Sequence, residues 1–107
     1  MNVVLTLGEV LRVGEDLPFR HSLFLPLDVS WSAATPCAIL DTDYLDEPDQ
    51  HPIAIEQGFR DVIGTNEVQD IVINVREQLG AATMEQLLHA FLFYIDNDAF
   101  IDFRESR

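Results

Sequence analysis

The sequence predicts an α+β fold in which a small antiparallel sheet packs against a C-terminal helical hairpin. In the second half, two long stretches repeat apolar residues at helical spacing and are separated by a few residues around Gly80. In the first half, short apolar runs are bounded by proline and glycine, as strands are. With 107 residues, 48% of them hydrophobic and 9% aromatic, the chain has the size and the apolar content for one cored domain spanning residues 1–107.

Thr6 and Glu9 have capping-box spacing, so a short helix follows through about Val13. Gly14 is placed to end it, and Pro18 prevents easy continuation. Ser22–Leu25, stopped by Pro26, and Cys37–Leu40, started after Pro36, read as strands, with two or three strands expected in all. The polar stretch 28–35 between them suits a loop or hairpin connection, and the acidic stretch 42–52 an exposed loop. Residues 53–59 fit a short helix ending at Gly58. Residues 60–63 fit a short extended stretch or a turn equally well. Thr65 is placed to cap a helix whose stripe is Val68, Ile71, Val72, Val75 and Leu79, with Gly80 at its end. Thr83 and Gln86 repeat the capping box before Met84, Leu87, Leu88, Phe91, Leu92 and Ile95. Phe93 and Tyr94 widen that face beyond one stripe, so this helix should be covered on most sides, including by a tail, residues 99–103, read as a final strand.

Nineteen Asp and Glu against six Arg, with no Lys, give a formal charge of −13. Proteins that hold a phosphate backbone cluster Lys and Arg, so this balance argues against nucleic acid and for a basic protein partner. Such charge speeds capture of a cationic partner by up to roughly 10–10³-fold at low salt. The single cysteine, Cys37, has no internal disulfide partner, and the Met1 end lacks the basic and apolar regions of a secretion signal, so a cytoplasmic location is expected. The densest apolar run, Leu87–Ile95, is about half of a bilayer span, and no membrane association is expected.

Two acidic clusters stand out. Asp41, Asp43, Asp46, Glu47 and Asp49 fall in the predicted loop, and Asp96, Asp98 and Asp102 flank the end of the last helix. The first reads either as a solvated loop or as a contact for a cationic protein. Carboxylates at a helix C-terminus oppose the macrodipole, at a cost of up to about 1 kcal/mol, so helix stability does not account for the second. Asn97 could adopt a left-handed cap there, with Asp98 or Asp102 tying back the tail. Neither cluster has the glycine and terminal glutamate of a calcium loop. Glu85 and His89 share a helix face but are too few to ligate zinc, and the context of Cys37 is that of a small buried hydrophobe. The five glycines are isolated, with no phosphate-binding loop. Hence no enzyme, cofactor or metal is expected.

Three stretches carry a family resemblance: Trp31 followed by Pro36-Cys37-Ala38-Ile39-Leu40-Asp41; Val68-Gln69-Asp70-Ile71-Val72; and Ala90-Phe91-Leu92-Phe93-Tyr94 running into Asn97-Asp98-Ala99-Phe100-Ile101-Asp102. Together they resemble small acidic bacterial immunity proteins of polymorphic-toxin and contact-dependent growth inhibition systems. The resemblance implies a cytoplasmic protein that binds and neutralises a cognate toxin C-terminal domain, with no catalytic residues. Charge alone does not supply affinity, so an aromatic anchor is also expected, from Trp31, Tyr44 or Phe59. Trp31 and Tyr44 flank the strand that leads into the acidic loop, and that edge is the expected contact face. The alternative is a homo-oligomeric or adaptor domain using Phe93, Tyr94 and the tail; the sequence leaves oligomeric state open.

Overall fold

The computed structural model describes residues 3–43, 47 and 50–104. Four strands, β1 (Val3–Thr6), β2 (Ser22–Leu25), β3 (Pro36–Leu40) and β4 (Arg60–Gly64), form one antiparallel sheet in the order β1-β3-β2-β4. Helices α1 (Leu7–Arg12), α3 (Thr65–Leu79) and α4 (Met84–Asn97) share a core with one sheet face, and α2 (Pro52–Gln57) covers the other.

The alternation of strand side chains explains why β2 and β3 are apolar without interruption. Leu23, Leu25, Cys37 and Ile39 point into the main core, whereas Phe24, Ala38 and Leu40 point into a second cluster with Ala54 and Phe59. Both central strands are therefore buried on two sides. The strand count exceeds the expectation: β1 lies at one edge, and the ambiguous residues 60–63 are the other edge strand. Arg60 and Asp61 are charged and exposed, so β4 does not read as an apolar run; β1 does carry one, Val3-Val4-Leu5, which the sequence reading passes over.

Both capping boxes form, Thr6 with Glu9 and Thr83 with Gln86. The first amides of α1 are also satisfied, since Leu7 N donates to Thr35 O at 2.8 Å and Gly8 N to Ala33 O at 2.9 Å. Gly58 ends α2 in the left-handed conformation (φ 72°), and Gly80 ends α3.

Gly14 acts differently from the expectation. It opens a 3-10 turn, Gly14–Asp16, and its hydrogen faces Val72, where a Cβ would lie 2.5 Å from Val72 Cγ2. Close approach to α3, not a left-handed cap, requires glycine there. Two further contacts hold this segment on α3: Gln69 Nε2 donates to Leu17 O at 2.9 Å, and Arg76 pairs with Glu15 at 3.0 Å.

Thr65 is not the cap of α3. Strand β4 runs directly into the helix, Gly64 occupies the cap position without a side-chain bond, and Thr65 is wholly buried in the first turn. Its hydroxyl lies 2.7 Å from Pro18 O and 3.0 Å from His21 O and accepts from His21 N at 3.3 Å, while its amide donates to His21 O at 2.9 Å. A buried polar side chain thereby joins the entry to β2 with the start of α3.

The tail is not a strand. After α4, Asp98 rather than Asn97 takes the left-handed conformation (φ 53°), and Asn97 Nδ2 instead donates to Phe93 O at 2.9 Å. The chain then turns back along the α3–α4 hairpin. Gln78 Nε2 donates to Ile101 O at 2.8 Å, and Gln78 Oε1 accepts from Phe103 N at 3.1 Å. Ile101 is buried, Phe100 stacks at 5.5 Å on Tyr94, and Phe103 meets His89 edge-on at 6.3 Å. These aromatic contacts cover the wide apolar face of α4 from within the chain.

Cys37 is buried in the main core, and desolvation, with a smaller push from Glu9, raises its thiol to about 12. It packs as a small hydrophobe.

Two measurements check this packing. Gly14→Ala should lower the unfolding free energy by about 1–3 kcal/mol in urea titration, because Val72 has no room to yield. The Cys37 thiol should resist a disulfide reagent at pH 8 until the protein unfolds. Because its pKa is raised on folding, this stabilising contribution is complete below the unfolded value of 9.0 and is lost as pH rises toward 12. Cys37→Ala should flatten the alkaline fall in stability across that window.

Candidate functional site

Strand register builds the site. Leu40 of β3 pairs with Ser22 of β2, and Ser22 pairs with Gly64 of β4, so the three strand ends lie in one row. Beyond that row come Asp41, His21 and Thr65, which places the start of the acidic loop beside the N-terminal turn of α3. A depression of about 610 Å³ there is lined by Arg20, His21, Asp43, Gly64, Asn66 and Glu67. The antiparallel hairpin brings the end of α4 to the same turn, where a notch of about 180 Å³ is lined by Val62, Ile63, Glu67, Tyr94, Ile95 and Asp98. Glu67 belongs to both, so Asp43 and Asp98 border one continuous surface although 55 positions separate them in the sequence.

This end of the molecule is strongly anionic. Asp43, Glu67, Asp70, Asp96 and Asp98 are exposed, and Asp41 is half-buried, its Oδ1 accepting from Asp43 N at 3.1 Å. None of the five exposed carboxylates joins an ion pair among the described residues; Arg76 and Arg104 are engaged by Glu15 and Asp102. Arg20 lines the depression with its guanidinium over the Phe19 ring, 5.7 Å from the centroid. Desolvation and then the charges of Glu67, Asp98 and Asp70 push the Tyr94 phenol upward, so it remains a neutral hydrogen-bond donor through physiological pH.

Of the residues singled out from the sequence, Asp41, Asp43 and Asp98 meet at this end, with Asp96 exposed on the adjoining last turn of α4. Glu47 is exposed and accepts from Gln50 Nε2 at 3.3 Å. Tyr44, Asp46 and Asp49 lie outside the described residues. Asp102 is elsewhere: it pairs with Arg104 at 3.5 Å and lines a tail-side depression with Gln78 and Gln86. The reversal of the chain after Asp98 separates these two sequence neighbours.

The expected contact edge is corrected. β3 is an interior strand, so the residues that flank it do not form a sheet edge: Trp31 precedes its Pro36 end and the acidic loop follows its Leu40 end. Trp31 is half-buried, donating from Nε1 to Pro26 O at 2.6 Å and packing 6.2 Å from Phe91. It closes the 26–35 connection. Phe59 is not an exposed anchor either; the turn at Gly58 folds it into the second core cluster beside Phe24 and Leu40. The loop preceding α2 ends in a buried residue, His51, whose Nδ1 accepts from Ile53 N at 3.1 Å as the helix cap.

Glu67 and Asp70 escape the sequence reading, which names Tyr94 only for the alternative homo-oligomeric or adaptor surface. Glu67 and Asp70 sit singly on the polar face of a helix, and Tyr94 reads as part of the apolar excess of α4. The signal that does exist is Glu67 in a first helical turn, where a carboxylate favours the macrodipole. Among the described residues no helix is long and apolar enough to cross a membrane, and no group of three or more His, Cys, Asp or Glu is placed to hold a metal ion.

No curated protein and no solved structure matches this chain. A family model described as a domain of unknown function, DUF7716, matches residues 4–103, from β1 through the folded-back tail. That match takes in the sheet, every helix and the whole described anionic end, and the chain belongs to the DUF7716 family.

Proposed function

We propose that this protein is a stoichiometric binding protein that captures and neutralises a cationic protein, in the manner of the bacterial immunity proteins its sequence resembles. The observation that carries this reading is the convergence of Asp43, Glu67 and Asp98, from three distant parts of the chain, on one surface where none of the three joins an ion pair among the described residues. Like charges held together cost free energy that solubility does not require, since charge dispersed over the surface solubilises equally well. A basic surface relieves that repulsion on docking. A nuclease-type toxin domain has such a surface wherever it holds its substrate, so occlusion is the mechanism that fits. The protein then acts by binding, without chemistry of its own.

The self-association reading finds less support, because Tyr94, Phe100, Ile101 and Phe103 are used in packing the tail onto its own hairpin.

Co-expression with a toxin domain encoded beside its gene should rescue growth, and the two proteins should co-purify. Reversing Asp43, Glu67 and Asp98 together to Arg should slow association at least 10-fold at low salt and flatten its salt dependence. Reversing Asp102 and Glu15 changes the net charge on other surfaces and should alter the rate much less. Equal effects from the two variants would leave net charge, not this surface, as the cause, and the assignment of the face would fail.

A further inference from the structure

The turn that leads into β2 stands beside the anionic depression, and its backbone is pinned at the base. Leu17 O accepts from Gln69 Nε2 at 2.9 Å, Pro18 O lies 2.7 Å from the Thr65 hydroxyl, and His21 N donates to Thr65 Oγ1 at 3.3 Å. His21 Nδ1 closes the turn by donating to Phe19 O at 2.9 Å. With the backbone held on both sides, the Phe19 side chain is nevertheless 68% exposed. Arg20 lines the depression and lays its guanidinium over the Phe19 ring, 5.7 Å from the centroid, so the ring stands at the margin of the depression. Neither side chain is what the turn itself requires. Arg20 holds a left-handed backbone (φ 60°), which glycine and asparagine adopt more readily, and turn tips favour small polar residues over an aromatic.

We infer that the turn at Phe19 and Arg20 is the apolar anchor of the anionic face. On docking, the Phe19 ring enters an apolar pocket of the cationic partner, whose basic groups face Asp43 and Glu67, and the Arg20 guanidinium bonds a carbonyl or carboxylate at the lip of that pocket. This inference rests on the proposed capture of a cationic protein and names the contact that holds it. Charge steers the encounter, but affinity concentrates in aromatic and arginine side chains that lose water at the centre of a contact. Trp31 and Phe59 are taken up by the fold, and Phe100 packs on Tyr94 at 5.5 Å. Phe19 is free of such duties and borders the charge. Ile55 and Leu27 are comparably exposed but stand elsewhere, Ile55 on α2 across the sheet from α3 and Leu27 beyond the far end of β2. The pinned turn presents its ring already in place, which lowers the ordering cost of binding.

The test uses the intact protein and the toxin domain encoded beside its gene, with association and dissociation rates measured separately. Phe19→Ala should keep the melting temperature and hold the association rate within about 2-fold, while dissociation becomes about 10-fold faster or more. Arg20→Gly should not lower the urea midpoint, because glycine takes the left-handed backbone freely, yet it should dissociate about 3-fold faster or more. Ile55→Ala and Leu27→Ala should leave both rates unchanged. The photoreactive p-benzoylphenylalanine placed at position 19 should crosslink to the toxin domain, and placed at position 55 it should not. Dissociation at the unaltered rate in either turn variant, or no crosslink from position 19, would overturn the anchor. The anionic face would still stand in that case if reversing Asp43, Glu67 and Asp98 slows association. If the unaltered protein captures no toxin domain, the proposed function fails and the anchor falls with it.

Discussion

The molecule turns on the passage of β4 into α3 without an intervening loop. Gly64 ends a strand and caps a helix at once, and the buried Thr65 hydroxyl locks that junction to the backbone at Pro18 and His21. Because Ser22 pairs with both Gly64 and Leu40, this lock aligns the exits of β3 and β4 with the entry of β2. Everything that meets at the anionic end is positioned from there: the first residues of the acidic loop, the first turn of α3, and, through the hairpin, the last turn of α4.

That geometry also accounts for the carboxylates after α4. Alone, Asp96 and Asp98 oppose the dipole of the helix they terminate. The antiparallel hairpin sets Asp98 beside Glu67 in the first turn of α3, where the partial positive charge of that helix start acts against the mismatch. Glu67, in the first turn of α3, gains from the same field. Among the described residues, Arg76 pairs with Glu15, fixing the 3-10 turn to α3, and Arg104 pairs with Asp102, both away from this concentration of negative charge.

The tail shows how few contacts complete the core. One side-chain amide, Gln78, both donates to and accepts from the tail backbone, so the segment is satisfied as it would be in a sheet without joining one. Ile101 enters the core, Phe100 steadies Tyr94, and Phe103 meets His89. The apolar excess of α4, unexplained by a single stripe, is consumed in this way.

Local sequence by itself determined the pieces whose causes lie within a few residues. Both capping boxes, the stripe of α3, the inward face of α4, the left-handed end of α2 at Gly58 and the core strands Ser22–Leu25 and Pro36–Leu40 follow from spacing and turn chemistry. The anionic character, and Asp41, Asp43, Asp96 and Asp98 as members of clusters, were legible for the same reason. Only tertiary structure decided what depends on partners remote in sequence. The edge strand β4 is held by pairing more than by apolar pattern, Gly14 is required by Val72 of α3, Phe59 is buried by the second sheet face, and Trp31 is taken up by Pro26 and Phe91. Strand register, hairpin direction and the reversal after Asp98 are long-range quantities, and they divide Asp102 from Asp98 while joining Asp43 to Glu67 and Glu67 to Asp98.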